Sequence, residues 1–162
     1  MSDGQAHHAS DNSNTTSDVM SDVVAYVADR DWFLQDLIRI ANSGLEISIT
    51  IVAEGAIVSG ILISGKNYFH EIGAEIGKVK TSPGISDLLQ TIGGQWAANG
   101  ARYVKPEDAS DDWAPPEPGY IHLRDARIYA PGQGGIPSNR GVLWRGKLNA
   151  VSGFSIGGLD HR

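Results

Sequence analysis

The sequence contains no cysteine, so a disulfide framework, a thiolate-held zinc or iron–sulfur centre and a cysteine nucleophile are all excluded. An excess of positive charge is lacking too. Nineteen Asp and Glu against 13 Lys and Arg give a formal net charge of −6, which argues against a generic nucleic-acid binder. No apolar run reaches the roughly 18–20 residues of a membrane span. The polar, acidic start, with Asp3, Asp11, Asp18 and Asp22, lacks the basic stretch and apolar run of a signal peptide. The expectation is a cytoplasmic protein with no membrane partner.

Catalytic motifs are equally scarce. There is no HExxH and no P-loop, so the patterns that set two metal-binding histidines on one helix face or a phosphate cradle on a backbone turn are missing. The run Pro131-Gly132-Gln133-Gly134-Gly135-Ile136-Pro137 has glycines but no closing Lys-Ser/Thr, and prolines bracket it. It reads as a hairpin loop. His70, His122 and His161 stand alone, and His7-His8 sit in a polar tail. None has the spacing of a metal site. Paired carboxylates occur only in an acidic, Pro-rich stretch with nothing to shape a pocket around them. The reading is a protein that is not an enzyme and has no cofactor.

The 162 residues suffice for one domain able to bury a core without staples. Residues 1–20 are almost wholly Ser, Asp, Asn, Thr, His and Gly and read as a disordered acidic tail. A single α+β domain is expected over 21–160. Ser21 or Asp22 is a candidate first cap, and the stripe Phe33, Leu34, Leu37, Ile38, Ile40, Ala41 has helical spacing and ends at Asn42-Ser43-Gly44. Leu45 to Glu54 then alternates strictly, with Leu45, Ile47, Ile49, Ile51 and Ala53 on one face, as a half-buried strand does. Glu54-Gly55 turns the chain into a second strand, Ala56 to Ser64, whose central Gly60 suggests a bend or bulge.

The period then changes. Residues 67–100 read as a helical insertion, broken at Pro83-Gly84 and resumed with Ser86 and Asp87 as the opening of its second helix. Residues 104–119 carry four prolines and five acids and read as an exposed, mobile connector. Strands follow over Tyr120 to Tyr129, Val142 to Arg145 (closed by a turn at Gly146) and about Val151 to Gly157. Strands with their helices segregated predict an α+β fold: a small, strongly bent antiparallel sheet or an Sm/SH3-like barrel, with an N-terminal helix and a helical insertion after the second strand.

Charge is unevenly spread. Residues 1–31 hold six acids and one base, whereas residues 119–162 hold six bases and two acids. This asymmetry offers a route to attraction between molecules. The candidate interaction surface is Arg124, Arg127, Trp144, Arg145 and Lys147, with Trp113, Tyr120 and Tyr129 as possible cation–π partners of Arg124 and Arg127.

Two resemblances bear on function. Leu143-Trp144-Arg145-Gly146-Lys147-Leu148 resembles the second motif of Sm-like proteins, whose Arg-Gly turn lies near a uridine pocket, and the first hairpin resembles their first motif. Here the loop that would complete that pocket is replaced by the helical insertion. A closer resemblance is to the gas vesicle accessory protein U (GvpU) family. It is carried by Gly44-Leu45-Glu46-Ile47-Ser48-Ile49-Thr50, Gly55-Ala56-Ile57-Val58-Ser59-Gly60, Ile63-Ser64-Gly65-Lys66-Asn67-Tyr68-Phe69, Tyr120 to Tyr129, and Gly141-Val142-Leu143-Trp144-Arg145-Gly146-Lys147-Leu148. These blocks span most of residues 30–158. The resemblance implies a non-enzymatic accessory protein associated with gas vesicles. It also implies self-association and binding to gas vesicle proteins, with an influence on vesicle clustering or assembly. It carries over no catalytic residue.

Overall fold

A computed structural model describes residues 30–159. The expected tail over 1–20, the cap at Ser21 or Asp22, His7, His8 and His161 lie outside the described residues. The first described helix, α1 (Trp32–Asn42), starts where Asp31 caps it: the Leu34 N–H donates to Asp31 Oδ1 at 2.9 Å. This satisfies one of the amide donors that a helix start leaves without a partner. It ends at Ser43, and Gly44 follows at φ 110°, a left-handed conformation suited to glycine.

Five strands follow: β1 (Ile47–Ala53), β2 (Ala56–Leu62), β3 (Tyr120–Tyr129), β4 (Val142–Lys147) and β5 (Val151–Ile156). All neighbours are antiparallel, in the order β4-β3-β2-β1-β5. Strands β4 and β5 are thus the two edges, and the sheet is open. The Sm/SH3-like barrel alternative is not borne out, because the ladder that would close it does not form among the described residues.

The alternation read in β1 decides which face is which. Ile49 and Ile51 are fully buried and pair across to Gly60 and Val58, while Thr50 pairs with Ser59 on the opposite face. The first face packs Ile49, Ile51, Val58, Leu62, Ile121, Leu123 and Ala126 against Leu34, Leu37, Ile38 and Ala41 of α1, with Leu148 joining the same cluster. Gly60 sits where the β2–β3 register shifts. A Cβ there would lie 2.9 Å from the Arg124 carbonyl oxygen and 3.0 Å from the Ala126 Cα. Only a residue without a side chain lets the backbones come this close. Asp125, at φ 51°, occupies the paired irregularity in β3, where its carboxylate accepts from the Gly141 N–H at 2.9 Å and from Arg127 at 3.0 Å.

Two helices lie between β2 and β3. Helix α2 (Gly65–Gly77) is capped by Ser64, which accepts from the Asn67 N–H at 3.0 Å. Helix α3 (Pro83–Ala98) begins at Pro83, not at Ser86. The Pro-Gly pair read as a breaker supplies the first helical position, where proline's missing N–H costs nothing and its fixed φ suits the helix. A 3-10 turn, Asn99–Tyr103, ends the insertion. The two helices meet at Gly73 and Gly93, each buried. A Cβ on either would overlap the other's carbonyl oxygen. Gly93, which lowers the intrinsic helix propensity of α3, is therefore the contact that seats it on α2. Residues 104–119 run without strand or helix to Gly119, whose carbonyl accepts from the Leu148 N–H at 3.0 Å.

Gly93→Val is expected to lower stability by about 1–3 kcal/mol, because overpacking at a backbone–backbone crossing forces the helices apart. Urea denaturation measures this. An unchanged midpoint would mean that α3 does not rest on this crossing.

Candidate functional site

The second face of the sheet holds most of the molecule's buried polarity. His122 and Arg145 lie directly opposite each other on β3 and β4, as do Tyr120 and Lys147. Opposite residues share a face, so these four face the same side, together with Arg124. Trp144 is opposite Leu123 on the other face, packed against the core, and its ring covers Gly146. Gly146, expected as a turn, lies inside β4 opposite Ile121. The five residues of the expected surface are therefore split by the pleat.

They are split by charge as well. Arg124 bridges Glu46 and Glu71, with its contact to Glu71 at 3.0 Å, and Arg127 pairs with Asp125 at 3.0 Å. Arg145 and Lys147 have no carboxylate partner among the described residues. The guanidinium that stacks on Tyr120 is that of Arg145, 3.4 Å from the ring centroid, with Phe69 at 5.8 Å. The aromatic partners expected for Arg124 and Arg127 are thus replaced, for those two residues, by carboxylates.

The residue that the sequence gives little reason to single out is His122. It is 2% exposed and enclosed by Tyr68, Phe69 and Tyr103, with ring centroids at 4.7, 5.9 and 6.0 Å. Its Nε2 accepts from Arg145 Nε at 3.2 Å. An imidazole that accepts from a guanidinium is neutral at that nitrogen. Burial first, and the Arg145 charge second, hold its pKa down to about 4. Burial likewise raises the Tyr68 and Tyr103 phenols, against the opposing pull of Arg145. A neutral imidazole and protonated phenols around a fixed cation position that cation; they do not form a nucleophile–base pair. The nearest sequence signal is the period-2 pattern that places His122 opposite Ile121 and Leu123. Its enclosure comes from α2, the 3-10 turn and β4.

Arg145 borders three surface depressions. One of about 230 Å³ also holds Asn42, Arg102, Tyr103, Glu117 and Tyr120. Another of about 350 Å³ holds Tyr68, Phe69, Ile72, Trp96 and Asn99. The third, of about 410 Å³, opens at the core-side end of the sheet between Trp144, Val58 and Ile128. Among the described residues no group of three or more His, Asp or Glu is placed to hold a metal, and no helix is long and apolar enough to cross a membrane.

His122 ties stability to pH. Its native pKa lies below the ordinary 6.5, so the unfolded chain takes up the proton first and stability falls as pH drops from 6.5 towards about 4. The full loss is on the order of 3 kcal/mol. His122→Gln keeps an acceptor for Arg145 but has no proton to gain, so denaturation at pH 7 and pH 4.5 should show a smaller drop for the variant. Equal drops would rule out the imidazole as the source.

No curated protein and no solved structure matches the chain. A family model does, described as gas vesicle protein GvpU-like, over residues 31–159. That span takes in α1, all five strands and the helical insertion, and the chain belongs to the GvpU-like gas vesicle protein family.

Proposed function

We propose that this protein is a non-enzymatic accessory protein of gas vesicles. On this reading it works in the cytoplasm through self-association and binding to vesicle proteins, and so influences vesicle clustering or assembly. The observation that carries the reading is the family match across the whole described fold. Supporting it is a surface made for weak contacts. The β4 cations Arg145 and Lys147 have no carboxylate partner among the described residues. Helix α3, whose only charged residue is Asp87, exposes Ile85, Leu88 and Trp96 along one face. Apolar exposure of this kind, rimmed by polar residues, marks contact surfaces. The basic residues of the sheet engage acidic segments of a neighbouring copy or of a vesicle protein, and no step in this role requires bond chemistry.

Flotation tests the reading. Purified protein mixed with intact gas vesicles should rise with them on low-speed centrifugation, and the vesicles should form larger clusters in the light microscope. Protein that stays in the subnatant, with vesicles dispersed as without it, would refute the role.

A further inference from the structure

Among the described residues from α1 onward, four arginines are paired with carboxylates and two are not. Arg39 pairs with Asp36 and Glu117, Arg124 with Glu46 and Glu71, Arg127 with Asp125, and Arg140 with Glu75. Arg102 and Arg145 have no carboxylate partner among the described residues, and both line the same cleft of about 230 Å³. The carboxylate native to that cleft, Glu117, is already held by Arg39 at 2.7 Å. Two cations thus face a space whose own anion is engaged elsewhere.

Arg145 is held in place for an incoming oxyanion. Stacking on Tyr120 at 3.4 Å and the Nε bond to His122 at 3.2 Å fix the guanidinium plane and leave its two Nη groups unused. A guanidinium already held in one plane loses less freedom when it takes a carboxylate in its fork. The Tyr103 phenol feels both Arg145 and Arg102, yet burial keeps it protonated, so it faces the cleft's cations as a neutral neighbour.

The complementary half is on the same chain. Glu107, Asp108 and Asp112, in the connector between the 3-10 turn and β3, are exposed and have no cationic partner among the described residues. Lys105, the connector's own base, is 3.7 Å from Asp111. None of the three free acids pairs with Arg102 or Arg145 within the molecule.

We propose that the Arg102–Arg145 cleft receives the acidic connector of a second copy of this chain, the carboxylates of Glu107, Asp108 and Asp112 of one molecule meeting the two guanidiniums of the next. This rests on the self-association reading and gives it a surface. The contact joins two different patches, so it is head-to-tail, and unless the rotation closes it extends without limit. Exposed pairs are individually weak, so association is concentration-dependent and weakens with salt as the Debye length shrinks from about 10 Å at 0.1 M to about 3 Å at 1 M.

Two charge reversals test it. Arg102→Glu alters the cleft at an exposed site on the 3-10 turn. The triple variant Glu107→Lys, Asp108→Lys, Asp112→Lys alters only the exposed connector. Thermal melts establish that each folds, and the connector variant alone suffices if Arg102→Glu does not. Light scattering at low salt should show that the onset concentration of each variant rises by roughly tenfold over the unaltered protein. Mixing the two variants should lower the onset again, since reversed cleft meets reversed connector. A variant that associates like the unaltered protein, or a mixture that stays dispersed, overturns this pairing and leaves the self-association reading standing. An unaltered protein that stays monomeric throughout overturns both.

Discussion

A guanidinium that donates to a buried neutral imidazole keeps its other N–H groups for a different partner. The His122–Arg145 contact places that asymmetry on two adjacent strands. Tyr68 and Phe69 on α2, Tyr103 on the 3-10 turn and Tyr120 on β3 all pack on one or the other member of the pair. The insertion is therefore fastened to the sheet by an aromatic and imidazole cluster more than by an aliphatic one. Charging the buried imidazole would set two cations side by side, one of them enclosed by Tyr68, Phe69 and Tyr103, which is why the neutral form and the native packing go together.

Close approach of backbones is the second constraint. Gly60 lets β2 and β3 change register, and Gly73 with Gly93 lets α3 lie directly on α2. The Gly60 approach lies opposite Ile49 on the core face, and the Gly73–Gly93 crossing lies within the helical insertion. Gly73 and Gly93 set how closely α3 lies on α2, and the depression that Tyr68, Phe69, Ile72 and Trp96 line beside Arg145 is formed between those two helices. Acidic residues of α2, Glu71 and Glu75, also reach Arg124 and Arg140, so much of the C-terminal positive charge is neutralised within the fold before any partner arrives.

The legible parts of the fold were those where one face is apolar. The alternation of Ile47, Ile49, Ile51 and Ala53 is enough to place β1, and the spacing of Leu34, Leu37, Ile38 and Ala41 is enough to orient α1. Element order could be read to the end of the chain for the same reason. Pro83 was misread because a proline stops a helix that precedes it and starts one that follows, and local sequence does not say which. The candidate surface residues are not contiguous because neighbours in sequence point to opposite faces of a strand: Trp144 goes to the core side and Arg145 to the other. His122 was not legible because its enclosure is assembled from residues 19 to 54 positions distant, and no local pattern encodes a convergence of that kind. Whether β4 and β5 would meet depends on the curvature set by the bulges, which single residues such as Gly60 suggest but do not measure.

The return of the chain's end to its beginning also governs the order in which the fold is completed. Strand β5 pairs with β1, and the residues just after it are stitched across the same strands: Thr50 Oγ1 donates to the Gly157 carbonyl at 2.9 Å and the Leu159 N–H donates to Ser59 Oγ at 2.8 Å, across 107 and 100 residues. The β1–β2 hairpin and the α2–α3 pair are local and form quickly, whereas closure of these long loops is slow. During synthesis β1 leaves the ribosome with one side unpaired, and it stays so until residues 151–156 emerge. The Ile-rich strand β1, internal in the finished sheet, thus presents an exposed edge until β5 joins it, the interval in which it is most open to pairing with another chain.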